Sequence, residues 1–234
     1  MKKIIALSLL LHLSQAITFN CQFVDIDSCT YHCNQCKAVN MIITRANQTV
    51  TRIFGFNGNF SQVQVLKMHD QLIRSLPSDL DYFFPKLSIL QIWSCGLRAI
   101  SQNDISPFTE LLEISISKNE LEVLPSNLFE KNPKILKIDF SRNRLKHVGF
   151  NLLQPLTSLM YADFYQNDCI NEGNFNGLEN LVKKLRRKCL LADMLIDDVR
   201  SLSERVETLE TELMTCEKIH RNRRCDNERK GIVA

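Results

Sequence analysis

Apolar residues recur with a period of 24 residues through the middle of the chain. Five copies of an L-x-x-L-x-L-x-x-N-x-L-x-x-L pattern begin at Val63, Leu87, Leu111, Ile135 and Leu159. The apolar residues at positions four and six are separated by one residue, which is the spacing of a strand. Such a strand turns its apolar residues inward and the residues between them outward. One such unit cannot bury its apolar face alone. We therefore expect residues 63–168 to stack as a curved solenoid, with a parallel sheet over one continuous core.

A polar position interrupts the apolar pattern in every copy. The ninth position is occupied by Gln71, Cys95, Asn119, Asn143 and Asn167. A buried amide can bond to backbone groups where each coil turns away from its strand, which explains a polar residue among leucines. Because Cys95 takes the same position, we expect it to be a buried, unreactive thiol.

The pattern resembles the extracellular, 24-residue type of leucine-rich repeat. The resemblance implies an α/β solenoid in which the parallel sheet lines a concave binding face. It also implies short irregular or helical segments on the convex side and a cysteine cap at each end. The N-terminal cap is expected over residues 17–62, with a hairpin that pairs residues 41–44 with residues 50–54.

The C-terminal cap is expected over residues 169–191. The pattern fails in the fifth copy, where Cys169 stands at the eleventh position and Glu172 at the fourteenth. Only Cys169 and Cys189 fall in this region, whereas the usual cap of this family has four cysteines. These two residues predict one disulfide.

The N-terminus has the pattern of a secretory signal peptide over residues 1–16. Lys2 and Lys3 precede an apolar run, and small residues stand at Ser14 and Ala16. A membrane anchor is the alternative, but about ten apolar residues are too few to cross a bilayer. We expect cleavage after Ala16 and a secreted, extracellular protein without a transmembrane segment.

Secretion changes the interpretation of the nine cysteines. Four of them cluster near the N-terminus, and in an oxidising compartment they predict two disulfides in one of three pairings. These four are Cys21, Cys29, Cys33 and Cys36. A zinc site that includes His32 is the alternative, which the oxidising compartment disfavours. Because the total is odd, at least one thiol is free or bonded to another chain.

The outward positions of the five predicted strands form the candidate protein-binding face. Trp, Tyr and Arg most often carry binding energy at interfaces, and the single tryptophan falls on this face. The residues expected to contact a protein ligand are Lys67, His69, Gln91, Trp93, Lys118, Arg142, Tyr161, Asp163 and Tyr165. The alternative is that Trp93 packs against a flanking loop. Sequons at Asn47 and Asn59 predict N-glycans outside this face.

The sequence lacks the signatures of an enzyme. It contains no G-x-S-x-G, H-E-x-x-H or phosphate-binding loop motif. His69 and Asp70 are the nearest acid–base pair, but neighbouring residues on a strand usually point to opposite faces. With 44% hydrophobic residues and a formal charge of +3, the composition indicates neither a disordered chain nor a nucleic-acid-binding protein. We expect no catalytic site, cofactor or metal.

A heptad pattern begins at Ala192 and predicts a coiled-coil helix over residues 192–220. Its seam is formed by Val199, Leu202, Val206, Leu209 and Leu213. Valine at a and leucine at d favours a parallel two-stranded coiled coil. The alternative is an amphipathic helix that folds back on the solenoid.

Acidic residues dominate the predicted helix, so two identical copies would repel and a differently charged partner is favoured. We expect a heterodimer, with a homodimer as the alternative. Cys216 or Cys225 could form an interchain disulfide. We expect residues 221–234 to be a basic, flexible tail, and Arg221 to Arg224 resemble a proteolytic processing site.

This combination of signal peptide, repeats, short cysteine cap and heptad tail resembles the leucine-rich repeat immune proteins of mosquitoes. The resemblance implies pairing through the C-terminal region and a role in innate immunity, in complex with a complement-like protein. We therefore expect a secreted protein-recognition module. An extracellular matrix scaffold or adhesion protein is the alternative.

Overall fold

The structure is a computed structural model that describes residues 16–26, 33–44, 48–54, 60–174 and 177–190. The chain divides into two units, Met1–Leu190 and Leu191–Ala234, and the described residues belong to the first. Several predicted features lie outside the described residues. They are the signal peptide up to residue 15, His32, the side chains of Cys21, Cys29 and Cys33, Asn47, Asn59, the heptad segment, Cys216, Cys225 and the basic tail.

An eight-stranded sheet organises the described residues, in the order β12-β10-β8-β7-β5-β2-β1-β4. Its strands are β1 (Ala16–Ile26), β2 (Cys33–Ala38), β4 (Thr49–Phe54), β5 (Val65–His69), β7 (Ile89–Trp93), β8 (Glu113–Ser117), β10 (Lys137–Asp139) and β12 (Tyr161–Asp163). Two small parallel sheets lie beside it. They pair β3 (Ile42–Ile43) with β6 (Leu72–Ile73) and β9 (Val123–Leu124) with β11 (His147–Val148).

The repeat period sets the register of the main sheet. Val65 pairs with Ile89, Ile89 with Glu113, and Glu113 with Lys137, in parallel and 24 residues apart each time. Lys137 pairs with Tyr161 in the same way. The predicted α/β repeat solenoid is confirmed, because each coil of the chain adds one strand to a parallel sheet.

The core consists of the positions that the pattern assigned to it. Residues at the first, fourth, sixth, eleventh and fourteenth positions are buried in the first four copies. In the fifth copy Ala162 and Phe164 are buried, whereas Leu159, Cys169 and Glu172 are only partly buried. In the fourth and fifth copies the sixth position is a phenylalanine, and the rings of Phe140 and Phe164 stack with centroids 6.1 Å apart. Short helices cross between strands at α1 (Leu80–Phe83) and α2 (Gln102–Ile105).

The N-terminal cap contains an additional coil that continues the solenoid. Strand β2 pairs in parallel with β5, so that Cys36 lies beside Leu66 and Ala38 beside Met68. Cys36, Ala38 and Ile43 are fully buried, at the equivalents of positions four, six and eleven. Cys36 is disulfide-bonded. The sheet of the solenoid therefore begins one coil earlier than the pattern starting at Val63 indicated.

The hairpin expected between residues 41–44 and 50–54 is wrong. Strand β3 pairs in parallel with β6 of the next coil, and β4 pairs in parallel with β1. The antiparallel pair of the cap is β1 with β2, in which Cys21 is opposite Ala38. The physical reason is that burial of Ile43 against the next coil uses the apolar face that a local hairpin would have needed.

The C-terminal cap closes the last coil with a helix and a disulfide. Helix α3 (Leu178–Lys188) buries Leu181 and Leu185 against the core. Cys169 and Cys189 form a disulfide across 20 residues of chain. The carboxylate of Glu172 forms salt bridges with Lys184 and Lys188 of the helix. These contacts cover apolar side chains that a further repeat would otherwise bury.

Candidate functional site

The outward side chains of the parallel strands form columns that cross the sheet. A column here means the residues at one repeat position in successive strands. The third-position column contains Val65, which is buried, and Ile89, Glu113, Lys137 and Tyr161. The fifth-position column contains Lys37, Lys67, Gln91, Ser115, Asp139 and Asp163. The seventh position places His69, Trp93 and Ser117 side by side, and the same repeat position is Ser141 and Tyr165 in the last two coils.

Trp93 lies near the centre of this face and is only partly buried. The ammonium of Lys118 lies 4.4 Å from the centroid of its ring, and the ring of His69 meets it edge-on at 6.1 Å. A cation over the face of an indole is attracted by the negative potential of the ring. Trp93 therefore contacts one outward side chain of the neighbouring strand, His69, and one side chain of the turn that follows β8, Lys118.

The environment of His69 lowers its pKa. Partial burial is the first cause, and the positive charges of Lys67 and Lys37 add to it, while Asp70 acts in the opposite direction. His69 is therefore neutral at physiological pH. The positive charge at the N-terminal end of the face is therefore carried by Lys37 and Lys67 and not by His69.

A second polar cluster spans β8, β10 and β12. The ammonium of Lys137 is 3.1 Å from a carboxylate oxygen of Glu113 and 5.6 Å from the ring centroid of Tyr161. Partial burial raises the pKa of Tyr161, and the nearby charge of Asp163 raises it further. The phenol therefore stays protonated and donates to Asp163 at 3.2 Å.

The two aspartates of the fifth-position column are fixed by hydrogen bonds. Asp139 accepts from the backbone N–H of Ser141 at 2.9 Å and from the hydroxyl of Ser115 at 3.1 Å. Asp163 accepts from the backbone N–H of Tyr165 at 2.8 Å. Neither carboxylate has a salt-bridge partner among the described residues.

The eighth position determines how the chain leaves each strand. Its residues adopt left-handed backbone conformations with φ between 53° and 55°. They are Asn40, Asp70, Ser94, Lys118, Arg142 and Gln166. Because this turn carries the chain away from the sheet, the eighth-position residues lie just beyond the carboxyl ends of the strands. Lys118 reaches Trp93 of the preceding coil from this position.

Sequence reasoning missed two parts of this surface. Lys37 belongs to the additional coil, and only the register of β2 against β5 places it beside Lys67. In the last three coils the second repeat position is apolar and lies just before the strand, with Leu112 40% and Met160 75% exposed. Leu112 and Leu136 line a groove next to Ile89. These apolar residues also recur every 24 residues in the sequence, but at the second repeat position, which is not one of the positions that face the core.

No group of three or more His, Cys, Asp and Glu side chains among the described residues is placed to hold a metal ion. No helix within the described ranges is long and apolar enough to cross a membrane.

The fold is an α/β leucine-rich repeat solenoid with capped ends. No family model and no curated protein matches the chain. Solved structures that match include the Toll–Spatzle complex of Drosophila, with 21% identity, a TM-score of 0.43, and coverage of 50% of this chain and 17% of that chain. The APL1 leucine-rich repeat domain matches with 18% identity, a TM-score of 0.45, and coverage of 64% and 43%.

The LRIM1/APL1C complex matches with 16% identity, a TM-score of 0.43, and coverage of 64% of this chain and 30% of that chain. The present chain spans less than half the length of each of these matched chains. Because the TM-scores lie below 0.5, the functional proposals below rest on this chain's own residues.

Proposed function

We propose that the protein is a secreted, non-enzymatic recognition module that binds a protein ligand on the concave face of its sheet and acts in innate immunity. The observation that carries this proposal is Trp93, a partly exposed tryptophan held between Lys118 and His69 at the middle of the parallel strands. A rigid, partly desolvated aromatic surrounded by polar groups is the usual centre of a protein interface.

Aromatic side chains extend this surface toward the C-terminal cap. Tyr165 is 48% exposed at the seventh position of the last coil, and Tyr161 lies on the same strand face. Tyrosine presents a large contact area with little conformational entropy to lose and with a hydroxyl that can bond to a ligand. The proposed contact residues are Lys67, His69, Gln91, Trp93, Lys118, Arg142, Tyr161, Asp163 and Tyr165.

The double variant Trp93→Ala and Tyr165→Ala tests the proposal. It should lose capture of the ligand from cell-free body fluid, because both aromatic contacts are removed, while its thermal unfolding midpoint stays close to that of the native protein. Captured proteins are identified by mass spectrometry.

Tyr82→Ala is the matched control. Tyr82 is an aromatic residue that is 80% exposed on helix α1, away from the concave face. It should retain capture. Full capture by the double variant would contradict the proposal, and recovery of the native protein only from insoluble matrix would favour the scaffold alternative.

The proposal includes pairing through residues 192–220, whose acidic strip favours a differently charged partner helix over a second copy. Cys216 or Cys225 would lock the pair covalently. Electrophoresis of the native protein without reductant should show a band above the monomer mass that collapses on reduction. A monomer band alone would contradict covalent pairing. N-terminal sequencing should find Ile17 as the first residue of the secreted chain.

A further inference from the structure

The charges of the fifth-position column are ordered along the solenoid. The strand register places Lys37 beside Lys67, Lys67 beside Gln91, and Gln91 beside Ser115. Ser115 lies beside Asp139 and Asp139 beside Asp163. Two cations, two neutral side chains and two anions therefore succeed one another across six adjacent strands.

Both ends of the column are available for a ligand. Neither Lys37 nor Lys67 forms a salt bridge with another described residue, and Lys37 is exposed. At the other end, backbone N–H groups hold Asp139 and Asp163 in place. These contacts leave the carboxylates charged and oriented, so a cationic ligand would bind without first ordering them.

The eighth-position column has the opposite order. Asp70 stands at its N-terminal end, and Lys118 and Arg142 stand toward the C-terminal end. The fifth and eighth positions are three residues apart along each strand, so the two columns lie about 10 Å apart. A helix has a diameter of about 10–12 Å and would therefore cover both columns, whose charges run in opposite orders along the solenoid. An extended segment is narrow enough to lie over the fifth-position column, because salt weakens its interaction with charges about 8–10 Å away in the eighth-position column. In the nearer third-position column, the charges of Glu113 and Lys137 compensate each other across 3.1 Å.

We propose that the concave face binds an extended polypeptide segment with two oppositely charged ends, in one direction, along the fifth-position column. Carboxylates of the segment lie at Lys37 and Lys67, its cationic side chains lie at Asp139 and Asp163, and an apolar side chain between them packs beside Trp93. This inference rests on the proposed function and adds the chemistry and the direction of the ligand.

The spacing of the column sets the spacing of the ligand. Four strand intervals separate the middle of the lysine pair from the middle of the aspartate pair, which is about 19 Å at the usual distance between strands. An extended chain covers this distance in about six residues. Because neighbouring residues of an extended chain point to opposite faces, the complementary segment has two acidic residues at alternate positions and two basic residues at alternate positions about six residues further along.

The inference is tested with two synthetic peptides that have blocked ends. The block peptide is Glu-Ser-Glu-Ser-Phe-Ser-Arg-Ser-Arg, which places its charges and its phenylalanine on one face. The interleaved peptide Glu-Ser-Arg-Ser-Phe-Ser-Glu-Ser-Arg has the same composition without separated charges, and both carry the same neutral fluorescent label. Binding to the full-length protein is measured by fluorescence anisotropy at low salt. The block peptide should bind about fivefold more tightly or better, and the difference should disappear in high salt.

Two neutralised variants locate the binding ends. The first combines Lys37→Gln with Lys67→Gln, and the second combines Asp139→Asn with Asp163→Asn, which keeps the acceptors for the backbone N–H groups. Each should weaken binding of the block peptide by about fivefold and leave the interleaved peptide unchanged. A photo-crosslinker on the acidic end should label β2 and β5 rather than β10 and β12.

Equal binding of the two peptides, or crosslinks spread over both ends of the sheet, would overturn the inference. Binding to polyanions alone, lost with the lysines and insensitive to the aspartates, would also overturn it. Recognition on the concave face would still stand in those cases if Trp93→Ala with Tyr165→Ala abolishes ligand capture. Failure of that capture test would instead contradict the proposed function.

Discussion

The buried amide of Asn119 joins two successive coils of the solenoid, and Asn143 and Asn167 make equivalent bonds in the coils that follow. The side chain of Asn119 accepts from the backbone N–H groups of Cys95 at 3.0 Å and Leu97 at 3.1 Å. It donates to the carbonyls of Ile92 and Ser117, both at 2.9 Å. These backbone groups are left without sheet partners where the chain turns away from each strand. The sequence predicted this role, since no other arrangement explains an amide among leucines.

Replacement of Asn119 with alanine should destabilise the fold strongly. Several buried backbone groups would lose their partners, so we expect a loss of about 3 kcal/mol in the free energy of unfolding. Chemical denaturation monitored by circular dichroism measures this value.

Cys95→Ala is the matched control at the same repeat position. The Cys95 thiol donates weakly to the carbonyls of Met68 at 3.1 Å and Trp93 at 3.3 Å, and burial raises its pKa, so it stays protonated. Its loss should cost clearly less than the loss of Asn119. An equal cost for the two variants would show that the ninth position acts through packing alone.

The caps show how far the sequence predicts structure at the scale of single elements. The C-terminal cap was located by Cys169 and Glu172, which break an otherwise regular pattern, and helix α3 with its disulfide begins after that break. The additional N-terminal coil was missed because Cys36 and Ala38 replace leucines there. The distance to the next coil is also 30 residues instead of 24, as the pairing of Gln35 with Val65 shows.

Acid should weaken the attachment of helix α3. A hydrogen bond from Lys184 lowers the pKa of Glu172, and the charge of Lys188 contributes further. Because the folded-state pKa lies below the unfolded value, this contribution is present at neutral pH. It is lost as the pH falls through the lowered folded pKa. Glu172→Gln should therefore reduce the difference in unfolding free energy between pH 7 and about pH 3.

The control for this measurement is Glu110→Gln. Glu110 pairs with Lys134 at 2.7 Å between two coils, away from the cap. It should keep most of the native pH dependence. The assignment to Glu172 is wrong if both variants titrate like the native protein.

At the scale of the whole molecule, the period of the sequence determines the sheet and therefore its outward face. Strand alternation alone predicted that Trp93, Tyr161 and Tyr165 share one surface, and the register of the sheet bears out this placement for Trp93 and Tyr161. The contacts between these side chains could not be predicted. Lys118 reaches Trp93 only because a left-handed turn at the eighth position directs it back over the preceding coil.

The order of charges along the fifth-position column could also not be predicted without the structure. In the sequence, the two lysines and two aspartates of the fifth-position column are separated by more than 120 residues in total, from Lys37 to Asp163. Parallel stacking brings them into one line, because every coil contributes one residue to each column. A solenoid thus converts a sequence of distant single charges into an ordered surface.

Hydroxyl-radical footprinting of the protein, alone and with its captured ligand, tests the central claim most directly. Oxidation of exposed aromatic side chains is quantified by mass spectrometry, which separates the concave face from the rest of the surface. We predict that Trp93 and Tyr165 become protected in the complex while Tyr82 reacts as before. Protection of Tyr82, with Trp93 and Tyr165 unchanged, would contradict recognition through the concave face.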